Sequence, residues 1–175
     1  MRPEPAGRLR RLGAILAGGT SSRFGSDKAL ALHQGRPLIA HVADALLAQC
    51  DALVICGRDW GGHPSLADLP GPGLGPMGGL CAALAHAAPN GFAEVLASPC
   101  DLLGVELAAT HLAPGPAVAA GQWLLGLWPA PLSAGLLALL QCEGAVSARR
   151  WTALSKADER PIPSLRNINR PQDLP

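Results

Sequence analysis

The sequence predicts an α/β domain: a mostly parallel central sheet with helices on both faces. Three observations carry this. Short apolar runs of strand length alternate with stretches of helical period. The first run is apolar throughout, as a strand buried on both faces must be. And each of the first three runs ends in glycine or in a polar corner. Strand–helix–strand–helix–strand in that order makes right-handed βαβ units.

Taken in order, Leu12 to Ala17 (LGAILA) is the first strand, closed by Gly18-Gly19. RPLIAHVADALLAQC has Pro37 near its start and Leu38, Val42, Ala45 and Leu46 at helical spacing, which predicts a helix. DALVICG is β-branched and stops at Gly57, giving strand two. DWGGHPSLADLPGPGLGPMGG is loop, and Met77 to Ala88 is a helix entered through Pro76. FAEVLASPCD is strand three. Beyond it, Glu106 to Leu112 reads as a short helix, PAVAAG and QWLLGLWPA as two strands or a hairpin, and PLSAGLLALLQC and AVSARRWTALS as helices. IPSLRNINRPQDLP predicts a last strand, a turn and the start of a helical turn. Residues 12–175 are expected to form one domain, with 1–11 a flexible N-terminal tail.

Composition narrows the function classes. The chain has 175 residues, enough for one domain with a sizeable core. Hydrophobic residues are 49 % and charged residues 15 %, which excludes general disorder. A net charge of +1, with four Trp, two Phe and no Tyr, offers neither a basic footprint nor a stacking platform, so no nucleic-acid partner is expected. None of the five cysteines forms a C-x-x-C pair, which argues against zinc and a disulfide framework and fits a cytoplasmic location. No window reaches the roughly 18 apolar residues of a membrane span.

The predicted topology collects three polar corners at one sheet edge, where open α/β sheets bind ligands. The first, LAGGTSSRFGSDKAL at 16–30, joins bare backbone to Arg23 and Lys28. It fits neither a P-loop, because Lys28 is misplaced relative to Gly25, nor G-x-G-x-x-G. It is either a polar surface turn or a cradle whose amides point at phosphate oxygens. The second corner is Gly57-Arg58-Asp59, with Asp68 further along, a ligand group or the beginning of a turn. The third is Ser98-Pro99-Cys100-Asp101, whose carboxylate is a helix N-cap or a hard oxygen ligand of the kind Mg²⁺ takes. No Ser-His-Asp or Cys-His set is evident; His33, His41, His63, His86 and His111 are scattered.

Together these motifs resemble a known family. LAGGTSSRFGSDKAL is similar to the signature L-A-G-G-x-x-x-R-(M/F)-G-x-x-K of nucleotidyltransferases acting on sugars and on the molybdenum cofactor. GPMGGL at 75–80 resembles their second glycine loop and SPCD at 98–101 their metal-binding strand end. NINRPQDL at 167–174 is similar to the ending of the molybdenum cofactor guanylyltransferases. The resemblance implies a Rossmann-like three-layer sandwich, the nucleotidyltransferase fold. The implied reaction is Mg²⁺-dependent transfer of GMP from GTP to molybdopterin with release of pyrophosphate. It further implies that Leu16, Ala17, Gly18, Gly19, Lys28, Asp68 and Asp101 bind nucleotide, that Arg23, Lys28 and Asp101 serve catalysis, and that Asp101 holds Mg²⁺. Asn167 and Asn169 would lie on the molybdopterin side. The finished cofactor is expected to pass to a molybdoenzyme or its chaperone. The alternatives are a cytidylyltransferase, a sugar-phosphate nucleotidyltransferase, or a relative that binds nucleotide or molybdopterin without turnover. Two departures stand out: the family's asparagine after strand two is absent from VICG, and the middle hairpin keeps only Gln122 as its polar group.

Overall fold

The structure, a computed structural model, describes residues 9–18, 27–163 and 165–168. Its elements follow the expected order. Strand β1 (Arg11–Leu16) is followed by a 3-10 turn (Lys28–Leu30), a small hairpin of β2 (Leu32–His33) and β3 (Arg36–Pro37), and helix α1 (Leu38–Leu47). Then come β4 (Ala52–Cys56), β5 (Ser65–Leu66), α2 (Pro76–Ala87), β6 (Glu94–Pro99), β7 (Leu102–Leu103) and α3 (Ala108–Leu112). The hairpin β8 (Ala117–Ala119) and β9 (Gln122–Pro129) leads to α4 (Ser133–Glu143), α5 (Ala148–Leu154), β10 (Asp158–Arg160) and β11 (Arg166–Asn167).

The central sheet has seven strands in the order β10-β8-β9-β6-β1-β4-β5. β1 pairs parallel with both β4 and β6, and within this sheet only β9 runs against its neighbours. The expected α/β fold with a mostly parallel sheet is therefore the observed one. β1 shows why its sequence is apolar throughout. Leu12, Ala14 and Leu16 pack with Leu80, Leu84, Leu136 and Trp151 of α2, α4 and α5. Ile15 and Ala17 pack with Ile39, Val42 and Leu112 of α1 and α3 on the other face. A period of two between two apolar layers leaves no position for a polar residue.

Several details differ from the sequence reading. β1 starts at Arg11, inside the segment expected to be tail, because its guanidinium reaches Glu94 (Nε to Oε1, 2.9 Å) and its amide donates to Asp51 Oδ2 at 2.7 Å. β5 lies within the stretch read as loop and pairs in parallel with β4. The expected last strand, β11, joins β7 in a separate two-stranded antiparallel ladder rather than the main sheet. It is β10 (DER) that extends the sheet, pairing with β8. The expected turn after β11 lies outside the described residues.

Candidate active site

The carboxyl ends of β1, β4 and β6 do meet at one edge, with parallel register throughout. The chain leaves β1 through Ala17, whose amide donates to the Cys56 carbonyl at 2.9 Å, and then Gly18. Gly18 runs against Gly57 at the end of β4. A Cβ on Gly57 would fall 2.4 Å from Gly18 Cα, and Gly57 has φ +90°, so glycine is required there on both counts.

Beside this crossing, Leu16, Gly18, Cys56, Asp68, Gly75, Pro76 and Gly79 line a narrow cleft of about 30 Å³. The start of α2 forms one wall. Gly75 precedes it at φ +64° without a side-chain cap, Pro76 occupies the first turn, and Gly78 and Gly79 leave room for neighbours. A Cβ on Gly78 would sit 3.1 Å from Asp68 Oδ2, and one on Gly79 3.0 Å from Cys56 Cβ. The second glycine motif therefore lets Asp68 and Cys56 lie flat against the helix. The Leu69 amide, which donates to Gly78 O at 3.2 Å, ties the Asp68 segment to α2. Partial burial raises the Asp68 carboxyl above its ordinary range. Burial, with the neighbouring Asp68 charge, pushes the Cys56 thiol up to about 12, so it is neutral.

On the other side of β1, Lys28 pairs with Asp101 Oδ2, directly after β6. Lys28 opens the 3-10 turn, which Asp27 caps by accepting from the Ala29 amide at 3.2 Å. Asp27 in turn receives Arg58, one guanidinium nitrogen lying 3.0 Å from Oδ1 and another meeting Oδ2. Arg58 holds the Asp27 carboxyl below the usual range, and Asp27 raises Arg58 further.

Beyond Asp101 the chain enters β7, and β11 pairs back on it. The Ile168 amide donates to the Asp101 carbonyl at 3.0 Å. Asn167 Nδ2 donates to Gln122 Oε1 at 3.5 Å, while its buried Oδ1 has no hydrogen-bond partner among the described residues. Gln122 begins β9, the strand next to β6, so its amide stands at the same edge as Asp101.

Of the residues expected in the site, Leu16, Ala17, Gly18, Lys28, Asp68, Asp101 and Asn167 all fall along this edge. Gly19, Arg23 and Asn169 lie outside the described residues. Asp101 does not cap a helix: β7 follows it, and α3 begins only at Ala108. Arg58 and Cys56 join the site without having been singled out for a role. The only signal for Arg58 was its place after a strand-ending glycine, and Cys56 read as an ordinary apolar residue. Two of the scattered histidines also meet: the His33 and His41 rings are 5.2 Å apart in a groove beside α1.

A cation at this edge has a suitable donor in Asp101, a hard carboxylate at a strand end. Among the described residues no three His, Cys, Asp or Glu side chains cluster as a metal cage. One carboxylate completed by phosphate oxygens and water is a common arrangement for Mg²⁺, so the donor set fits that ion.

Comparison with known proteins shows the family to which the chain belongs. The MobA-like NTP transferase domain family matches residues 13–160. The chain belongs to this family. It is therefore an enzyme of the nucleotidyltransferase class. A molybdenum cofactor guanylyltransferase of Rhodobacter capsulatus is 38 % identical over 186 residues, covering 95 % of this chain and 94 % of that one. A probable molybdenum cofactor guanylyltransferase of Rhodopirellula baltica is 34 % identical over 191 residues, covering 93 % and 89 %. One from Deinococcus radiodurans is 52 % identical, but over 85 residues that make up 44 % of this chain and 41 % of that one. Among solved structures, molybdopterin-guanine dinucleotide biosynthesis protein A of Archaeoglobus fulgidus has a TM-score of 0.68 at 20 % identity, covering 94 % of each chain. At that identity the likeness speaks for the fold.

Proposed function

We propose that the protein transfers GMP from GTP to molybdopterin, forming the guanine dinucleotide and releasing pyrophosphate. The observation that carries this is the sequence of groups along the sheet edge. The cleft with Asp68 lies by β4 and β5, Lys28 and Asp101 between β1 and β6, and Gln122 with Asn167 beyond β6. Base, phosphates and acceptor of a nucleotidyl transfer need that same order.

Each group has a task. The Asp68 carboxylate accepts hydrogen bonds from the N1–H and 2-amino group of guanine together, whereas cytosine presents a single amino donor next to an acceptor. This favours GTP over CTP. Lys28, with Arg23 of the same motif, balances charge on the phosphates as pyrophosphate departs. Bound through Asp101 and the phosphates, Mg²⁺ would neutralise the charge that develops there. A terminal phosphate oxygen of molybdopterin attacks the α-phosphorus of GTP; a new P–O bond forms as the α–β bridge breaks. The substrate supplies the nucleophile, so no protein nucleophile is required. Asn167 and Gln122 orient the acceptor, with Asn169 expected alongside them.

Purified protein incubated with molybdopterin, Mg²⁺ and either GTP or CTP tests the reading through pyrophosphate release. Release with GTP alone supports it. Release with CTP alone reassigns the base, and GTP binding without release leaves a binding protein in place of an enzyme of this reaction.

A further inference from the structure

Asp27 and Lys28 are adjacent in sequence yet reach opposite neighbours of β1. Lys28 meets Asp101 after β6, and Asp27 meets Arg58 after β4. Because β1 lies between β6 and β4, the two ion pairs fasten segment 27–30 on both sides of that strand's carboxyl end. The Arg58 contact is a two-pronged fork, which fixes direction as well as distance. Arg58 is itself held, since Ser65 Oγ donates to its carbonyl at 2.9 Å and the Gly57 amide before it donates to Leu66 O at 3.0 Å. Asp27 carries the constraint onward, because the same carboxylate caps the turn that Lys28 opens.

The fork is poorly placed to act mainly on stability. The Arg58 and Asp27 side chains are 25 % and 40 % exposed, and pairs that open to water contribute little to folding. Its geometric effect is larger, because a displacement of about 1 Å in a phosphate-binding group costs up to about 100-fold in rate.

We propose that Arg58 is a positioning residue: through Asp27 it sets where Lys28 stands relative to Asp101 and the nucleotide phosphates. The inference rests on the reading of Lys28 as a phosphate-side residue. It adds a role for Arg58, at the end of β4, and a route by which the base side of the site is coupled to the phosphate side.

The test measures Mg·GTP affinity by titration calorimetry and kcat/KM by pyrophosphate release, with melting temperature as the control. The variants are Arg58→Gln, Asp27→Asn, which keeps an acceptor for the Ala29 amide, Lys28→Met and their pairs. Arg58→Gln is expected to weaken Mg·GTP binding about 10-fold while the melting temperature stays nearly constant. Arg58→Lys, which keeps the charge and loses the fork, recovers only part. Arg58→Gln with Asp27→Asn should bind no more weakly than either single variant, and Arg58→Gln should cost nothing further in a Lys28→Met background. Undiminished binding by Arg58→Gln overturns the proposal. So does a full additional loss in the Asp27→Asn or Lys28→Met background, which would make Arg58 a direct phosphate contact. If the unaltered chain binds no Mg·GTP, the guanylyltransferase reading falls and takes this inference with it; if it binds and Arg58→Gln matches it, only the inference falls.

Discussion

Gly57→Ala is expected to be among the most damaging single-methyl changes in the protein, and the structure gives its size. The new Cβ would lie 2.4 Å from Gly18 Cα and 2.7 Å from Gly18 N, backbone atoms that cannot rotate away. Alanine at φ +90° adds about 1–3 kcal/mol of backbone strain. Relieving the contact means parting β1 from β4 by about 1 Å, an overpacking cost of about 1–3 kcal/mol. It also stretches the bonds from Ala17 N to Cys56 O and from Gly57 N to Leu66 O, 2.9 and 3.0 Å long. The total is about 2–6 kcal/mol, or roughly 4–24 °C in melting temperature for a domain of this size. Gly62→Ala is the control: Gly62 has φ +72° but no atom of the described residues within 4 Å of its Cβ position, so that variant reports the backbone strain alone, about 1 kcal/mol. Urea denaturation of the two variants beside the unaltered chain measures the difference. If Gly57→Ala costs no more than Gly62→Ala, the close approach of Gly18 and Gly57 is not a constraint and the reasoning fails.

Other outcomes follow from the same geometry. Asp68→Asn should lower kcat/KM for GTP by about 10- to 100-fold, the worth of a hydrogen bond to a charged acceptor, and leave any activity with CTP unchanged. Because burial raises the Asp68 carboxyl, GTP affinity should fall as pH drops through a value above the usual 3.8, and the Asn variant should lack that acid limb. Asp101→Asn should abolish the dependence of GTP binding on Mg²⁺ concentration, which calorimetry with and without the ion would register. His33 gives a stability prediction. Its covered position, His41 and Arg166 hold its pKa below the usual 6.5, so the unfolded chain binds more protons between the two values. Stability should therefore decline as pH falls below about 6.5, and His33→Gln should flatten that decline in urea titrations at pH 7.5 and 5.5.

What the sequence disclosed and withheld has a physical basis. β1, β4 and β6 were legible because each is covered on both faces, so its pattern records its own environment. β10 was not: Asp158, Glu159 and Arg160 form a strand because β8 offers a partner, a fact written in the partner. β5 and β11 are two residues long and depend on register in the same way. The candidate site divides along a similar line. Gly18, Lys28, Asp68 and Asp101 could be found because glycine loops and strand-end carboxylates leave local marks. Arg58 and Gln122 could not be given roles, since each acts through a residue distant in sequence, Asp27 and Asn167.

Cys56 shows the same limit from another side. Read from the chain, it was one residue of VICG, the segment from which the family's asparagine is absent. In the fold it is a buried, neutral thiol that lines the cleft together with Asp68 and lies against Gly79. An asparagine there would bring a polar amide to a site beside the Asp68 carboxylate, where it would compete with a base for the same acceptor oxygens. With cysteine, those oxygens are left to the ligand. On this view an amide beside Asp68 occupies oxygens that a bound base would need, and Cys56→Asn should weaken GTP binding. Calorimetry on that variant decides it: tighter binding of Mg·GTP would mean that the added amide contacts the ligand itself instead of competing for Asp68.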